Sequence, residues 1–124
     1  MFDHVKIGVS DFAASKAFFI KALAPLGVTA VAEGEPDYGI ELCAQGPASF
    51  ILFQTDEKPA CLHLAFTAGT REQVDAFHRA ALEAGGKDNG APGLRPQYSG
   101  AYYAAFVIGP DGHNIEAVCH ESGA

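Results

Sequence analysis

Apolar and polar residues alternate strictly through HVKIGV (4 to 9): Val5, Ile7 and Val9 share one side, and His4, Lys6 and Gly8 the other, the period of a strand with one apolar face. The period then lengthens. In DFAASKAFFIKAL (11 to 23), Ala14, Phe18 and Ala22, flanked by Phe19 and Leu23, recur at helical spacing, with Ser10 as the expected N-cap and Pro25 and Gly27 as the stop. VTAVAE (28 to 33), YGIELC (38 to 43) and SFILFQ (49 to 54) are three short strand-like segments separated by Gly, Pro and Asp turn clusters. The first half therefore reads βαβββ. After TDEKPA the pattern restarts: CLHLAFT (61 to 67) is a strand, and TREQVDAFHRAALEAG is a helix opened by Thr70 and Gln73 at capping-box spacing. AYYAAFVIG and HNIEAVC add two strands, and the stretch 86 to 98, interrupted by GAPGLRP, is expected to supply another.

Sliding the second half onto the first by 59 residues matches His4 with His63, Phe18 with Phe77, Ala22 with Ala81, Leu23 with Leu82 and Gly27 with Gly86. This is an internal repeat, about 2–56 and about 60–120. The expected fold is α+β: two βαβββ modules in one domain spanning 1–124, with curved antiparallel sheets, helices on the outer face and a concave face for a ligand. A hydrophobic content of 48% suffices for such a core. The net charge of -7, with only 8 Lys and Arg, argues against a nucleic-acid surface, and an anionic partner would need a local exception. No apolar run approaches the roughly 18 residues of a membrane span, and MFDHVKIGV lacks the zones of a signal peptide, so no membrane association and a cytoplasmic location are expected. Cys43, Cys61 and Cys119, odd in number and set in apolar segments, read as reduced core or near-core residues.

Strand parity singles out three polar residues. With Leu62, Leu64 and Phe66 facing the helices, His63 turns to the concave face; His4 is opposite Val5, Ile7 and Val9, and Glu116 opposite Ile115, Ala117 and Cys119. Two imidazoles and a carboxylate form the 2-His-1-carboxylate set, which holds a divalent metal (Fe, Mn, Ni or Zn) and leaves positions open for substrate oxygens. Because His4 and His63 occupy equivalent places in the repeat, a pseudo-twofold is expected to bring them together with Glu116. The plainer alternative pairs Glu116 with Lys6 or Arg95 and leaves His63 a satisfied core histidine. The loop GAPGLRPQYSGAYY places Arg95, Gln97, Tyr98, Tyr102 and Tyr103 as candidate substrate-binding groups at the cavity rim, with Gln54 a further candidate, against packing of the Tyr rings in the core. His78 and His113 receive no role, and His120 is an outlying candidate.

The HV start before a strand and helix, the mid-chain HLAF and the terminal PDGHNIEAV together resemble the vicinal oxygen chelate superfamily, which includes glyoxalase I, extradiol dioxygenases and bleomycin-resistance proteins. The resemblance runs from Phe2 to about His120. It implies paired βαβββ modules, usually in a homodimer assembled side by side or by exchanging halves. It also implies metal ligands from the first and last strands of each half, which map to His4, a position near Leu52, His63 and Glu116. Leu52 cannot ligate, and Gln54, one strand period on, is a substitute with at most a polar contact to offer; glyoxalase I activity is therefore not expected. The implied function is a small-molecule metalloenzyme of the glyoxalase or dioxygenase type, binding vicinal oxygens, with His4, His63 and Glu116 as ligands and Glu116 also as proton carrier. The alternatives are a metal-free protein of the bleomycin-resistance type that sequesters a small molecule, and a regulatory dimer.

Overall fold

The computed structural model describes residues 2–46, 48–57 and 60–121. The first module runs β1 (His4–Val9), α1 (Phe12–Leu23), β2 (Thr29–Glu33), β3 (Ile40–Cys43) and β4 (Ser49–Gln54). The second runs β5 (His63–Thr67), α2 (Arg71–Glu83), β6 (Lys87–Leu94), β7 (Tyr103–Ile108) and β8 (Asn114–Cys119). Each forms a four-stranded sheet, ordered β1-β4-β3-β2 and β5-β8-β7-β6. The expected α+β duplication is present, but the sheets are mixed, because β1 pairs β4 and β5 pairs β8 in parallel. The connection from β1 to β4 passes through α1 and two strands, long enough for the crossover that a parallel pair requires. The strand expected within 86 to 98 is β6; Gly90, Pro92 and Gly93 interrupt it, and its pairing with β7 shifts register twice.

Local chemistry sets the helix ends. Thr70 and Gln73 make the anticipated reciprocal capping box on α2. On α1 the cap is Asp11, whose carboxylate accepts from Ala14 N at 3.0 Å, and not Ser10. Ser10 instead donates from its backbone N and Oγ to the Asp111 carboxylate at 3.2 and 2.5 Å, joining the two modules.

The core is a single cluster between the modules. Phe18, Phe19, Ala22 and Leu23 of α1 and Val74, Phe77 and Ala81 of α2 are buried among Ile7, Val9, Leu42 and Leu52 of one sheet and Ala105, Val107, Ile115 and Ala117 of the other. Edge-to-face ring contacts run from Phe18 to Phe19 at 5.1 Å, on to Phe50 at 5.2 Å and across to Phe66 at 5.4 Å. Each fully buried large side chain here contributes about 1.5–3 kcal/mol. Both sheets thus cover helices with one face, and their opposite faces, bearing His4 and Lys6 in one module and His63 and Ala65 in the other, stay open. The cysteines divide differently from expectation: Cys119 is buried and Cys43 half-buried, but Cys61 lies ahead of β5 and is exposed. Among the described residues no helix is long and apolar enough to cross a membrane.

Candidate functional site

On the open face of the second sheet, the pairing registers place Ala65, Glu116, Phe106 and Gly90 in one row across β5, β8, β7 and β6. Glu116 is 1% exposed. Its carboxylate is satisfied from both sides, by His63 Nε2 at 2.8 Å from Oε1 and by the Tyr102 hydroxyl donating to Oε2 at 2.5 Å. The His63 side chain is 53% exposed, so the group that meets Glu116 also meets solvent. Burial and the hydrogen bond to Glu116 raise the Tyr102 phenol from about 10 to about 12, which keeps its proton in place at neutral pH. Tyr98 packs on Tyr102 at 4.9 Å and His120 meets its edge at 5.1 Å. The Phe106 ring lies 6.1 Å from His63, and the Arg95 guanidinium sits 5.4 Å above it.

The donor set can be tested against a metal. Two ligands, each about 2.1 Å from one ion at a right angle, lie about 3 Å apart. The 2.8 Å between His63 Nε2 and Glu116 Oε1 fits that geometry. Two donors are too few, however, and among the described residues no group of three or more His, Cys, Asp or Glu could hold an ion. His4, expected beside them, is on the open face of the first sheet, where its Nδ1 meets Asp3 at 2.7 Å and its ring borders a hollow of about 330 Å³ with Lys6, Tyr38, Glu41 and Ile51. The reason is that the modules pack through their helices, so their concave faces do not converge within one chain. A second hollow, about 400 Å³ and mostly apolar, is lined by Val5, Leu42, Phe50, Leu64 and Phe66 and reaches the polar cluster only at His63.

The sequence profile of the glyoxalase, bleomycin resistance protein and dioxygenase superfamily matches residues 1–117. The chain belongs to that superfamily. It is similar to a glyoxalase/bleomycin resistance protein from Albidiferax ferrireducens, with 32% identity over 96% of this chain and 98% of that one and a TM-score of 0.79. Two more distant structures share the fold: a family enzyme from Burkholderia phytofirmans (19% identity, 96% and 98% covered, TM-score 0.75) and a lactoylglutathione lyase from Agrobacterium tumefaciens (15%, 96% and 92%, TM-score 0.70). The search of curated proteins returns no match.

The register of this superfamily member corrects several sequence expectations. His4 pairs with Ser49 and His63 with Asn114, so Glu116 corresponds to Ile51 and not to Leu52, which is fully buried on the helix side. The error was one residue, and one residue reverses the face of a strand. Tyr103 faces the helices: its hydroxyl donates to Asp75 at 2.7 Å and Arg71 stacks on its ring. Gln54 is a structural link, accepting from Phe12 N and donating to Ser10 O. Gln97 is exposed. Neither Lys6 nor Arg95 pairs with Glu116; Lys6 sits over Phe53. His78 pairs with Asp88 on the surface. His113 is fully buried, and its Nδ1 accepts from Leu62 N at 2.9 Å, which anchors the chain immediately before His63. The contact of Tyr102 with Glu116 was the feature sequence reasoning placed too loosely, at a rim; the signal available was its shared parity with Glu116.

Proposed function

We propose that this protein is a small-molecule metalloenzyme of the glyoxalase and dioxygenase type, working as a homodimer in which His4 of one copy completes the His63 and Glu116 pair of the other. The observation that carries this is the His63 to Glu116 geometry: two donor atoms 2.8 Å apart, one on a buried carboxylate and the other on a half-exposed imidazole. The outward faces of both modules support the homodimer, since only a second copy can oppose a first-module face to a second-module face. His63 and Glu116, with His4 of the second copy, would hold a divalent metal, which would supply Lewis-acid stabilisation of an oxyanion on a substrate with two adjacent oxygens. The chain's own residues bind and orient it. His63 and Glu116 fix the oxygens' position, Tyr102 holds a proton against Glu116 Oε2, and Glu116 is the group through which a proton passes to or from the substrate.

A metal-free sequestering protein is the second reading, and the saturation of both Glu116 oxygens by His63 and Tyr102 favours it. Metal analysis after reconstitution with Fe, Mn, Ni and Zn separates the two. The expected result is one ion per chain in a dimer by light scattering, with the metal lost in His63→Ala and in His4→Ala. No stoichiometric metal under any of these conditions would leave the sequestering reading.

A further inference from the structure

We infer that Arg95 selects substrates carrying an anionic group, a carboxylate in the first instance, on the side of the molecule remote from the oxygens held at His63 and Glu116. The inference rests on the site proposed above, and deepens it by naming the substrate class. Arg95 follows β6, the strand two places from Glu116 in the sheet, and its side chain folds back over that strand. The bare backbone of two glycines makes this possible. A Cβ on Gly90 would come within 3.2 Å of Arg95 Nη2 and 2.9 Å of the Phe106 ring, and one on Gly93 within 3.1 Å of Arg95 Nη1. Gly90 has φ 153°, a conformation that side chains rarely adopt, so the bare surface is built into the strand. Arg95 Nη2 donates to Ala91 O at 2.8 Å, which fixes the guanidinium above the sheet face.

The described residues give this guanidinium no ion-pair partner. Among the described residues no carboxylate lies within 4.0 Å of it, on a protein with a net charge of -7. Its Cζ is 5.4 Å from the Phe106 centroid, and the same ring is 6.1 Å from His63, so Phe106 is the apolar contact that links the imidazole and the cation. Neighbouring strands are about 4.8 Å apart, so Arg95 over β6 is about 10 Å from the Glu116 strand. A ligand that spans this distance has adjacent oxygens at one end, a flat or apolar middle over Phe106 and an anion at the other end, where the planar fork of Arg receives a carboxylate through two hydrogen bonds.

Three probes isolate the contributions: 4-methylcatechol (adjacent oxygens, no anion), 3-phenylpropanoate (anion, no adjacent oxygens) and 3-(3,4-dihydroxyphenyl)propanoate (both). Their Kd values are measured by calorimetry under nitrogen for the full chain, Arg95→Gln, Arg95→Lys and His63→Ala, each first checked for native circular dichroism and melting. The expected result is at least a tenfold loss for both anions in Arg95→Gln, at most a threefold change for 4-methylcatechol, and partial recovery in Arg95→Lys, which keeps charge without the fork. Equal affinity of the anions for the natural protein and Arg95→Gln, or no binding of either anion, overturns the inference. Failure of the underlying site reading has a different signature: 4-methylcatechol binding that is absent, or unaffected by His63→Ala, while the 3-phenylpropanoate arm still reports on Arg95.

Discussion

Removing the hydroxyl that meets Glu116 is expected to cost more stability than removing Glu116 itself. In Tyr102→Phe the buried carboxylate keeps His63 but loses its 2.5 Å partner on Oε2, and no water reaches a group that is 1% exposed. A hydrogen bond to a charged group contributes about 1.5–3 kcal/mol, and leaving the acceptor unmatched costs the same order. For a chain of this length 1 kcal/mol corresponds to roughly 3–5 °C in Tm, so a loss of about 2 kcal/mol lowers Tm by roughly 6–10 °C. In Glu116→Leu the buried charge goes altogether, and the groups left behind, the half-exposed His63 and the partly exposed Tyr102, regain water. Exchange of buried ionic groups for apolar ones of similar volume is commonly neutral or stabilising. The single Glu116→Leu is therefore expected within about 1 kcal/mol of the natural protein, and adding Tyr102→Phe to it should cost almost nothing. The assay is urea unfolding of chelator-treated protein for both single variants and the double. A Glu116→Leu penalty equal to or larger than that of Tyr102→Phe would refute the reasoning, because Glu116 would then be a structural element and not a strained functional group.

Burial holds the His113 imidazole below its ordinary value, so the unfolded chain binds the proton that the folded one refuses. Stability from this residue is present above about pH 6.5 and is lost as the pH falls below it; urea midpoints between about pH 7.5 and 5.5 should decline, and less so in His113→Asn. Gly86→Ala should destabilise by about 1–3 kcal/mol in the same assay, since its Cβ would meet Ala81 O at 2.8 Å and Phe18 at 2.9 Å at the junction of the helices. Ile51→Glu puts a carboxylate at the position equivalent to Glu116, beside His4 and opposite Lys6, and should raise divalent-metal affinity by at least tenfold by titration calorimetry; unchanged affinity would separate His4 from the metal site.

The duplication, the amphipathic strands and the α2 cap were legible because each is local: a period of two, a period of 3.6, and Thr70 three residues before Gln73. Glu116 and His63 were assigned to one face by the same parity, and that face is where they meet. Parity says nothing of how the modules pack, so the joining of His4 to His63 was inferred from a symmetry axis that does not bring the open faces together. Leu52 was matched to Glu116 by counting, although the last strands of the halves are offset by six residues more than the first strands, as the pairings of His4 with Ser49 and His63 with Asn114 reveal. Tyr103 and Gln54 are polar residues on helix-facing or loop-facing positions; their partners, Asp75 and the Ser10 to Phe12 backbone, come from elsewhere in the chain and leave no trace in local spacing.

The two modules share a fold but no longer share a chemistry. Where the second sheet has Ala65 beside Glu116, the first has Lys6 beside Ile51. Lys6 lies over Phe53 and borders, with Ile51, the hollow beside His4, whereas Glu116 is closed in by His63 and Tyr102. Two carboxylates facing each other across a dimer would repel unless a cation were always present, so a first module with Ile51 and Lys6 in their place is compatible with a buried Glu116 in the absence of metal. The consequence is a division of labour: the second module carries the carboxylate, the imidazole and the Phe106 ring, and the first has a single imidazole, a cation and apolar wall to contribute. Under the function proposed above, a second chain is the source of the first-module imidazole, because the two modules pack helix to helix within one chain.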